Sequence, residues 1–350
     1  MKFKILDLFC GAGGFSQGFE MNKHYKSLLA VDFNEAALQT FHYNHPNSSI
    51  ICGNLKEKKI KNQILKECER LKINMIIGGP PCQGFSNKGK NLGLKDERNF
   101  LFKEYLEIVK AVKPEIFVIE NVKNLITCAN SYFLNEILNY AQNLGYKINF
   151  SVLNAAEFGV PQNRQRAFLI ACKGFEFDFA KLKKQKRVSV RDAISDLAYL
   201  NAGEGDEESE YLSEPKCAYQ RALRGKKLYN HKATNHSKIA IDKLKMIPAE
   251  SGKEFLPKNL HGKQKFKSTW GRLVWDELSP TIDTRFDTPS NGTNSHPTLN
   301  RSITPREAAR LQGFKDDFRF LGKKTQICKQ IGNAVPPLLA KALADEIVKQ

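Results

Sequence analysis

The 350-residue sequence contains no Cys-x-x-Cys pair and no short Cys/His cluster, and its eight cysteines, at positions 10, 52, 68, 82, 128, 172, 217 and 328, are scattered. That spacing argues against a zinc site or a disulfide framework and for reduced thiols in a reducing compartment. Long apolar runs are missing as well. The opening Met1-Lys2-Phe3-Lys4-Ile5-Leu6-Asp7-Leu8-Phe9 is too short for a signal peptide and carries Asp7 inside it. Nothing later approaches a membrane span, so a cytosolic protein is expected. No internal repeat is present. Acid is scarce relative to base, with 37 Asp and Glu against 55 Lys and Arg, a net charge of +18. Such an excess favours a polyanionic partner.

What is present is 41% hydrophobic residues, ample for a conventional core, on a chain long enough for two domains. Apolar runs and helical patterns alternate from the start. Residues 4–9 read as a buried strand, and Gly11-Ala12-Gly13-Gly14 follows it just before the helical-looking Phe15 to Glu20. The second apolar run, Leu28 to Val31, ends in Asp32. A glycine turn after a first strand, with an acid about twenty residues on at the end of the second, suits a nucleoside-bearing cofactor, the acid accepting from ribose hydroxyls. A simple structural turn is the other reading. Further strands are expected at 50–52, 74–77, 116–119, 146–153 and 167–171, and helices at 34–45, 59–72, 99–112 and 131–144. The expected fold class is α/β, a mostly parallel sheet with helices on both faces and its strand ends sharing one crevice.

The fourth strand runs into Gly78-Gly79-Pro80-Pro81-Cys82-Gln83-Gly84-Phe85-Ser86. Two glycines let the chain turn sharply and two prolines stiffen it, presenting Cys82 on a rigid loop at a strand's carboxyl end. That is a seat for a nucleophile, although a lone cysteine is commonly a small buried hydrophobe. Glu120 ends the next strand, where it could serve as an acid in the site or as an ordinary structural charge. Arg164 and Arg166, in Gln162-Asn163-Arg164-Gln165-Arg166, precede the last strand and could hold a base or contact phosphate. The segment 84–98, with Gly84, Gly89 and Gly93 among Lys88, Lys90 and Lys95, reads as a basic lid or as a solvated connector.

If the ligand at the glycine turn is S-adenosylmethionine and the polyanion a nucleic acid, one chemistry uses all of these groups. Carbon 5 of cytosine is a poor nucleophile until a thiolate adds at carbon 6. Cys82 would be that thiolate. A carboxylic acid near ring nitrogen 3 could donate as charge develops there, the role open to Glu120. The target base would have to swing out of the duplex.

Beyond Arg187 the regularity fades into about a hundred residues rich in Asn, Lys, Gly, Pro and Ser, with aromatic residues such as Tyr229, Trp270, Trp275 and Phe286 persisting. From Arg221 to Arg272 there are 14 Lys and Arg against three acids, whereas Glu204 to Glu214 holds six acids and no base. This reads as a second, loop-rich basic domain, with Lys263, Lys265 and Lys267 expected to grip phosphates. A solvated basic face is the alternative. Order returns at Thr304-Pro305-Arg306-Glu307, a capping box with Pro at the first helical position, read as a plain structural helix. An amphipathic helix at 338–348 closes the chain.

In order along the chain, Asp7-Leu8-Phe9-Cys10-Gly11-Ala12-Gly13-Gly14-Phe15, Gly79-Pro80-Pro81-Cys82-Gln83-Gly84-Phe85-Ser86, Glu120-Asn121-Val122, Gln162-Asn163-Arg164-Gln165-Arg166, Arg306-Glu307-Ala308-Ala309-Arg310-Leu311-Gln312 and Gly332-Asn333-Ala334-Val335-Pro336 closely resemble the motifs of the DNA cytosine-5 methyltransferase family, bacterial restriction-modification type. The match spans nearly the whole chain apart from about 190–295. The resemblance implies a Rossmann-like methyltransferase sheet in a catalytic domain, 1–187 completed by 325–350. It further implies a target-recognition domain at 188–300 and a connecting segment at 301–324. It implies Cys82 as nucleophile with Glu120 and Arg166 on the flipped cytosine. For S-adenosylmethionine it implies a pocket of Phe9, Gly11, Gly14, Asp32, Phe33, Asn54, Leu55, Pro81, Leu101, Asn333 and Val335, releasing S-adenosylhomocysteine, with no metal. The implied partner is double-stranded DNA, the chain being either the modifying half of a pair with a restriction endonuclease or a solitary bacterial-type enzyme, a monomer in the bacterial cytosol with no membrane.

Three positions depart from the family pattern: Asn54 for the usual Asp, Asp32 for the common Glu, and Phe100 for a frequent Thr. A tRNA cytosine-5 methyltransferase of the same fold and a catalytically silent DNA-binding homologue remain alternatives. An amino-group methyltransferase would carry Asn/Asp-Pro-Pro and an aromatic where Cys82 stands, and a nicotinamide-dependent dehydrogenase would leave the cysteine loop without a purpose.

Overall fold

Strand β1, Phe3–Leu8, is buried along nearly its whole length, as a strand covered on both faces must be. In the computed structural model, which describes residues 2–81, 100–197, 199–261 and 268–350, it lies inside a seven-stranded sheet. From β1 the chain runs through helix α1 (Gly14–Glu20), β2 (Tyr25–Asp32), α2 (Glu35–Asn44), β3 (Ser49–Cys52), α3 (Lys58–Leu71), β4 (Met75–Gly78), α4 (Leu101–Val112), β5 (Ile116–Val122), α5 (Cys128–Asn143), β6 (Lys147–Asn154) and β7 (Gln165–Cys172). The strand order is β3-β2-β1-β4-β5-β7-β6. The first five strands are parallel, and β7 lies antiparallel between β5 and β6. This is the doubly wound α/β sheet expected.

Each helix covers the sheet with the side chains its period dictates. In α3, Ile60, Ile64 and Cys68 fall four residues apart and are the buried set, and in α4 the buried set is Phe102, Tyr105, Leu106, Ile108 and Val109, recurring at steps of three and four. Both meet β1, β4 and β5 in the main core, the packing expected of an amphipathic stripe. Helix α5 differs from the pattern at its start. Ala129, Asn130 and Ser131 all sit at positive φ, so regular right-handed helix begins only after Ser131.

These elements belong to the first of two compact units, Met1–Ala155, Gln165–Lys184 and Pro337–Gln350. Its closing helix, Pro337–Ile347, lies directly on α1. A side chain at Gly18 would run into the Pro337 carbonyl and the Ala340 side chain, so this glycine is what lets the two helices touch.

The second unit, Ala156–Arg164 and Gln185–Pro336, has short elements: α6 (Val190–Ile194), β8 (Gly205–Ser209), α7 (Ala218–Leu223), β9 (Leu228–Lys232), α8 (Lys238–Met246), β10 (Gly271–Arg272), β11 (Thr293–Ser295), α9 (Pro305–Leu311) and α10 (Lys324–Asn333); the chain's closing helix is α11. Helix α9 carries the expected capping box, Thr304 with Glu307 and Pro305 at its start. All seven of its residues are buried.

Burying that helix means burying its charges. Arg301 makes a two-pronged pair with Glu307 at 2.7 and 2.8 Å. Arg310 does the same with Asp316 at 2.9 and 2.7 Å and also bonds Asp196. Arg306 donates to the carbonyls of Tyr229, Lys315 and Phe318. Burial alone would raise the Glu307 carboxyl, but the Arg301 guanidinium outweighs it and the group falls to about 2.

Breaking a buried pair by removing one partner typically costs about 3–5 kcal/mol because the other charge is left stranded. Arg310→Ala takes from Asp316 its two-pronged partner and leaves Asp196 with Arg224, and is expected to cost about that much. Urea unfolding of the full chain against wild type measures it; a loss below ~1 kcal/mol would show that solvent reaches the cluster.

Candidate active site

The parallel ladder sets the site. Leu8, Gly78 and Ile119 lie in one row across β1, β4 and β5, so Phe9, Gly79 and Glu120 come one residue further along three neighbouring strands, about 4.8 Å apart. Two glycines are closely packed here. A Cβ on Gly78 would strike the Leu8 carbonyl, and one on Gly79 would come within 3.0 Å of Glu120 Oε2. Asn121 then ties the proline loop down: its Nδ2 donates to the Pro80 carbonyl at 2.8 Å, and its Oδ1 accepts from the Val122 N–H at 2.8 Å. Cys82 itself, and the segment 84–98 read as a lid, lie outside the described residues, as do Lys263, Lys265 and Lys267.

Antiparallel pairing of β5 with β7 sets Arg166 opposite Val122. From there Arg166 Nε reaches Glu120 Oε1 at 3.1 Å, and Nη1 donates to the Gln165 carbonyl at 2.8 Å. Both side chains are mostly buried. Burial pulls the Arg166 guanidinium below its ordinary value, and the Glu120 carboxylate opposes that pull. The pair thus offers an acceptor or acid beside a fixed cation, next to the end of β4 that leads into the Pro80-Pro81 loop. A planar heterocycle with both a ring nitrogen and a carbonyl could be read by these two groups together.

At the neighbouring strand ends the glycine turn is tightly built. Gly11 and Gly13 have φ of 53° and 94°, and Phe9 joins them at 58°, an uncommon conformation for an aromatic residue. A Cβ on Gly13 would lie 2.8 Å from the Phe41 ring and 3.0 Å from His45 Nε2. Asp32 braces the turn from β2, its Oδ2 accepting the Gly11 N–H at 2.9 Å and its Oδ1 the Asn34 N–H at 2.8 Å. Burial raises the Asp32 carboxyl, while the N–H groups of Asn34, Gly11 and Phe33 work against that rise. Each oxygen keeps a lone pair for another donor.

The remaining pocket candidates divide between the units. Phe33 is 73% exposed, its ring open to a stacking partner. Asn54 is exposed and its Oδ1 accepts the Lys56 N–H at 3.1 Å, beside the buried Leu55. Pro81 and Leu101 are half-buried, and so is Gly11, whereas Gly14 is buried. Asn333 and Val335 belong to the second unit, where Asn333 ends α10 exposed and Val335 is buried. There Arg164 is a structural clamp, donating to the carbonyls of Ile282, Gly332 and Ala334 at 3.0–3.3 Å. Of the two arginines in its motif, Arg166 alone meets Glu120.

Sequence reasoning passed over two buried polar residues. Asn121 lies within a quoted motif, and only its bond to Pro80 reveals its use. Asp7 stands inside an apolar strand, which was a visible signal. It is 1% exposed and accepts the Ser16 hydroxyl at 2.7 Å. Burial pushes its carboxyl up to about 7.

A turn of left-handed glycines, an acid at the end of β2 and an exposed ring fit a nucleoside-bearing cofactor, and an open α/β sheet with those features beside a buried carboxylate–guanidinium pair belongs to the doubly wound nucleotide-binding class. The comparisons narrow the class. The model of the C-5 cytosine-specific DNA methylase family matches residues 3–349. Type II methyltransferase M.DdeI of Desulfomicrobium norvegicum is 36% identical over 98% of this chain and 88% of its own length. Type II methyltransferase M1.HphI of Haemophilus parahaemolyticus is 36% identical over 100% of this chain and 87% of its own. A crystal structure described as a DNA modification methyltransferase encoded within a prophage (E. coli) superposes with a TM-score of 0.80 at 26% identity, covering 99% of each chain. The chain belongs to the C-5 cytosine-specific DNA methylase family, and it is a DNA cytosine-5 methyltransferase that uses S-adenosylmethionine.

Proposed function

We propose that the chain methylates cytosine at carbon 5 within a specific sequence of duplex DNA through a transient bond to Cys82, as a monomer in the bacterial cytosol and as the modifying counterpart of a restriction endonuclease. The observation that carries the reading is the Glu120–Arg166 pair, closed at 3.1 Å against the Gly79-Pro80-Pro81 turn that leads into Cys82. In this reading the Cys82 thiolate adds to carbon 6 of the flipped base, and its electron pair moves through the ring towards carbon 5 and nitrogen 3. Glu120 donates to the nitrogen 3 edge and Arg166 to the carbonyl, so the charge developing on the ring falls between groups already in place. When bound, S-adenosylmethionine supplies an electrophilic methyl group. Loss of the carbon 5 proton then expels the thiolate and restores the aromatic ring.

The same reading assigns the cofactor to Phe9, Gly11, Gly14, Asp32, Phe33, Asn54, Leu55, Pro81, Leu101, Asn333 and Val335. Asp32 would serve twice, bracing the Gly11 N–H while offering its remaining lone pairs to ribose hydroxyls. Asn54 would accept from the adenine amino group through an amide oxygen already bonded to Lys56 N–H, a neutral and weaker acceptor than a carboxylate. Target recognition is assigned to the basic second unit, and among the described residues no helix is long and apolar enough to cross a membrane.

The test is methyl transfer by the purified chain from labelled S-adenosylmethionine to duplex DNA and, in parallel, to tRNA, with bisulfite sequencing of the DNA product. Label is expected in DNA, at one cytosine of one short sequence. Transfer to tRNA with none to DNA would replace this reading by the tRNA enzyme of the same fold, and binding of DNA without any transfer would replace it by a silent homologue.

A further inference from the structure

Asp7 has work that the reaction does not account for. It lies one residue before the end of β1, opposite Ala30 on β2 and Ile77 on β4, inside an apolar sheet. Its Oδ2 accepts the Ser16 hydroxyl at 2.7 Å. Ser16 is in the first turn of α1, whose N-cap residue, Gly13, has no side chain to satisfy the free N–H groups. Asp7 thus ties the first turn of α1 to the preceding strand through the Ser16 hydroxyl. Everything between the two partners is the cofactor turn: Phe9 and Gly11 at positive φ, then Gly13. The turn is fastened at its base by Asp7–Ser16 and at its middle by Asp32–Gly11.

We propose that Asp7 is a positioning residue for S-adenosylmethionine, its ionised carboxylate bracing the turn 9–13 through Ser16. This rests on the reading that the turn binds that cofactor. A carboxylate accepts the Ser16 hydroxyl better than a neutral acid does, and it also favours a cationic sulfonium ligand nearby. Among the described residues the groups facing Asp7 are Ser16 on α1, Asp32 at the end of β2, Cys10 in the turn and Tyr105 on α4. None of these is a cation, so ionisation is opposed by burial first and by Asp32 as well, and the carboxyl sits at about 7 rather than 3.8.

The sign follows from that rise. The folded chain holds this proton where the unfolded chain has released it, so the group's contribution to stability declines as pH climbs from about 4 through about 7 and stays lost above. The brace is strongest where the fold bears its full cost. A merely structural polar pair would not separate the two in this way.

The experiment is calorimetric titration of S-adenosylmethionine into the full chain, without DNA, at pH 6 and pH 8, with melting temperatures at both, for wild type, Asp7→Asn and Ser16→Ala. Wild type is expected to bind about three- to tenfold more tightly at pH 8 than at pH 6. Asp7→Asn should lose most of that dependence, any remainder belonging to Asp32, and bind more weakly at pH 8, yet melt at a higher temperature there. Ser16→Ala should weaken binding while keeping the carboxyl. Unchanged affinity and pH profile in Asp7→Asn would overturn the proposal alone, as would weaker binding joined to a lower melting temperature. Failure of the wild type to bind S-adenosylmethionine at either pH would overturn the cofactor reading, and this proposal with it.

Discussion

Cys82→Ser is expected to lower kcat for transfer to cytosine by on the order of 10³-fold or more, equivalent to about 4 kcal/mol of barrier. The substitution changes one atom. It replaces a thiol, a few per cent ionised at neutral pH near its free pKa of ~8.5, with a hydroxyl that is essentially un-ionised and a far weaker nucleophile at carbon 6. The residues of the cofactor turn are left as they are, so affinity for S-adenosylmethionine is expected to stay within about twofold of wild type. A second readout separates nucleophile from bystander. DNA containing 5-fluorocytosine offers no proton at carbon 5 to release, so the wild-type adduct should persist through denaturing gels in the presence of S-adenosylmethionine. The serine variant should leave no such band. Undiminished transfer by Cys82→Ser would remove the covalent step and return the thiol to the bland reading of a small apolar side chain.

Much of the first unit was legible because local chemistry and tertiary fate agree there. Apolar runs of four to eight residues became the parallel strands, the glycine turn after β1 took up positive φ at Gly11 and Gly13, and Asp32 ended β2 as its position after Leu28 to Val31 implied. Motifs distant in the chain met because a parallel sheet collects strand ends at one edge. What could not be read was pairing between strands. The run 165–172 looks like one more strand, and no residue in it declares that it inserts antiparallel between β5 and β6; yet that insertion is what sets Arg166 against Glu120. The left-handed residues Ala129, Asn130 and Ser131 were equally invisible, since none is a glycine and the segment reads as ordinary helix.

In the second unit, charge counting misled where burial intervened. Arg272 belongs to the basic excess between 221 and 272, but it is buried and donates to the carbonyls of Leu244, Ile247, His296 and Leu299. Arg224 is paired with Asp196. The acidic run from Glu204 is likewise folded in rather than left as a tail: Glu207 accepts from Asn230 and Glu208 pairs with Lys227. The Thr304 capping box was legible as a helix start, yet only the fold shows that the helix it starts is wholly interior. A run such as Arg306-Glu307-Ala308-Ala309-Arg310 reads as an exposed face by composition, and its burial depends on partners more than a hundred residues away, Asp196 among them.

Glu120→Gln is expected to lower kcat by about 10²- to 10⁴-fold, the usual range for removing a positioned proton donor. The geometry makes this substitution informative. Glutamine keeps the volume that fits against Gly79, where Glu120 Oε2 leaves no room for a Cβ, and its amide oxygen can still face Arg166 Nε. What it loses is charge and an exchangeable acidic proton. Arg166, pulled below its ordinary value by burial and held up chiefly by this carboxylate, would lose its counterion, so some of the loss belongs to the guanidinium. A double-mutant cycle with Arg166→Lys apportions it. If the two groups act as a unit on one base, the double variant should be scarcely slower than the worse single variant, with a coupling of about 1–3 kcal/mol. If they act separately, the losses should add. Affinity for S-adenosylmethionine, titrated without DNA, is expected to stay near wild type in all three variants, because the turn at 9–13 is braced by Asp32 and Asp7 and not by this pair. A Glu120→Gln chain that retains more than about a tenth of the wild-type kcat would show that charge developing on the ring is met elsewhere, leaving Glu120 as the buried counter-ion of Arg166.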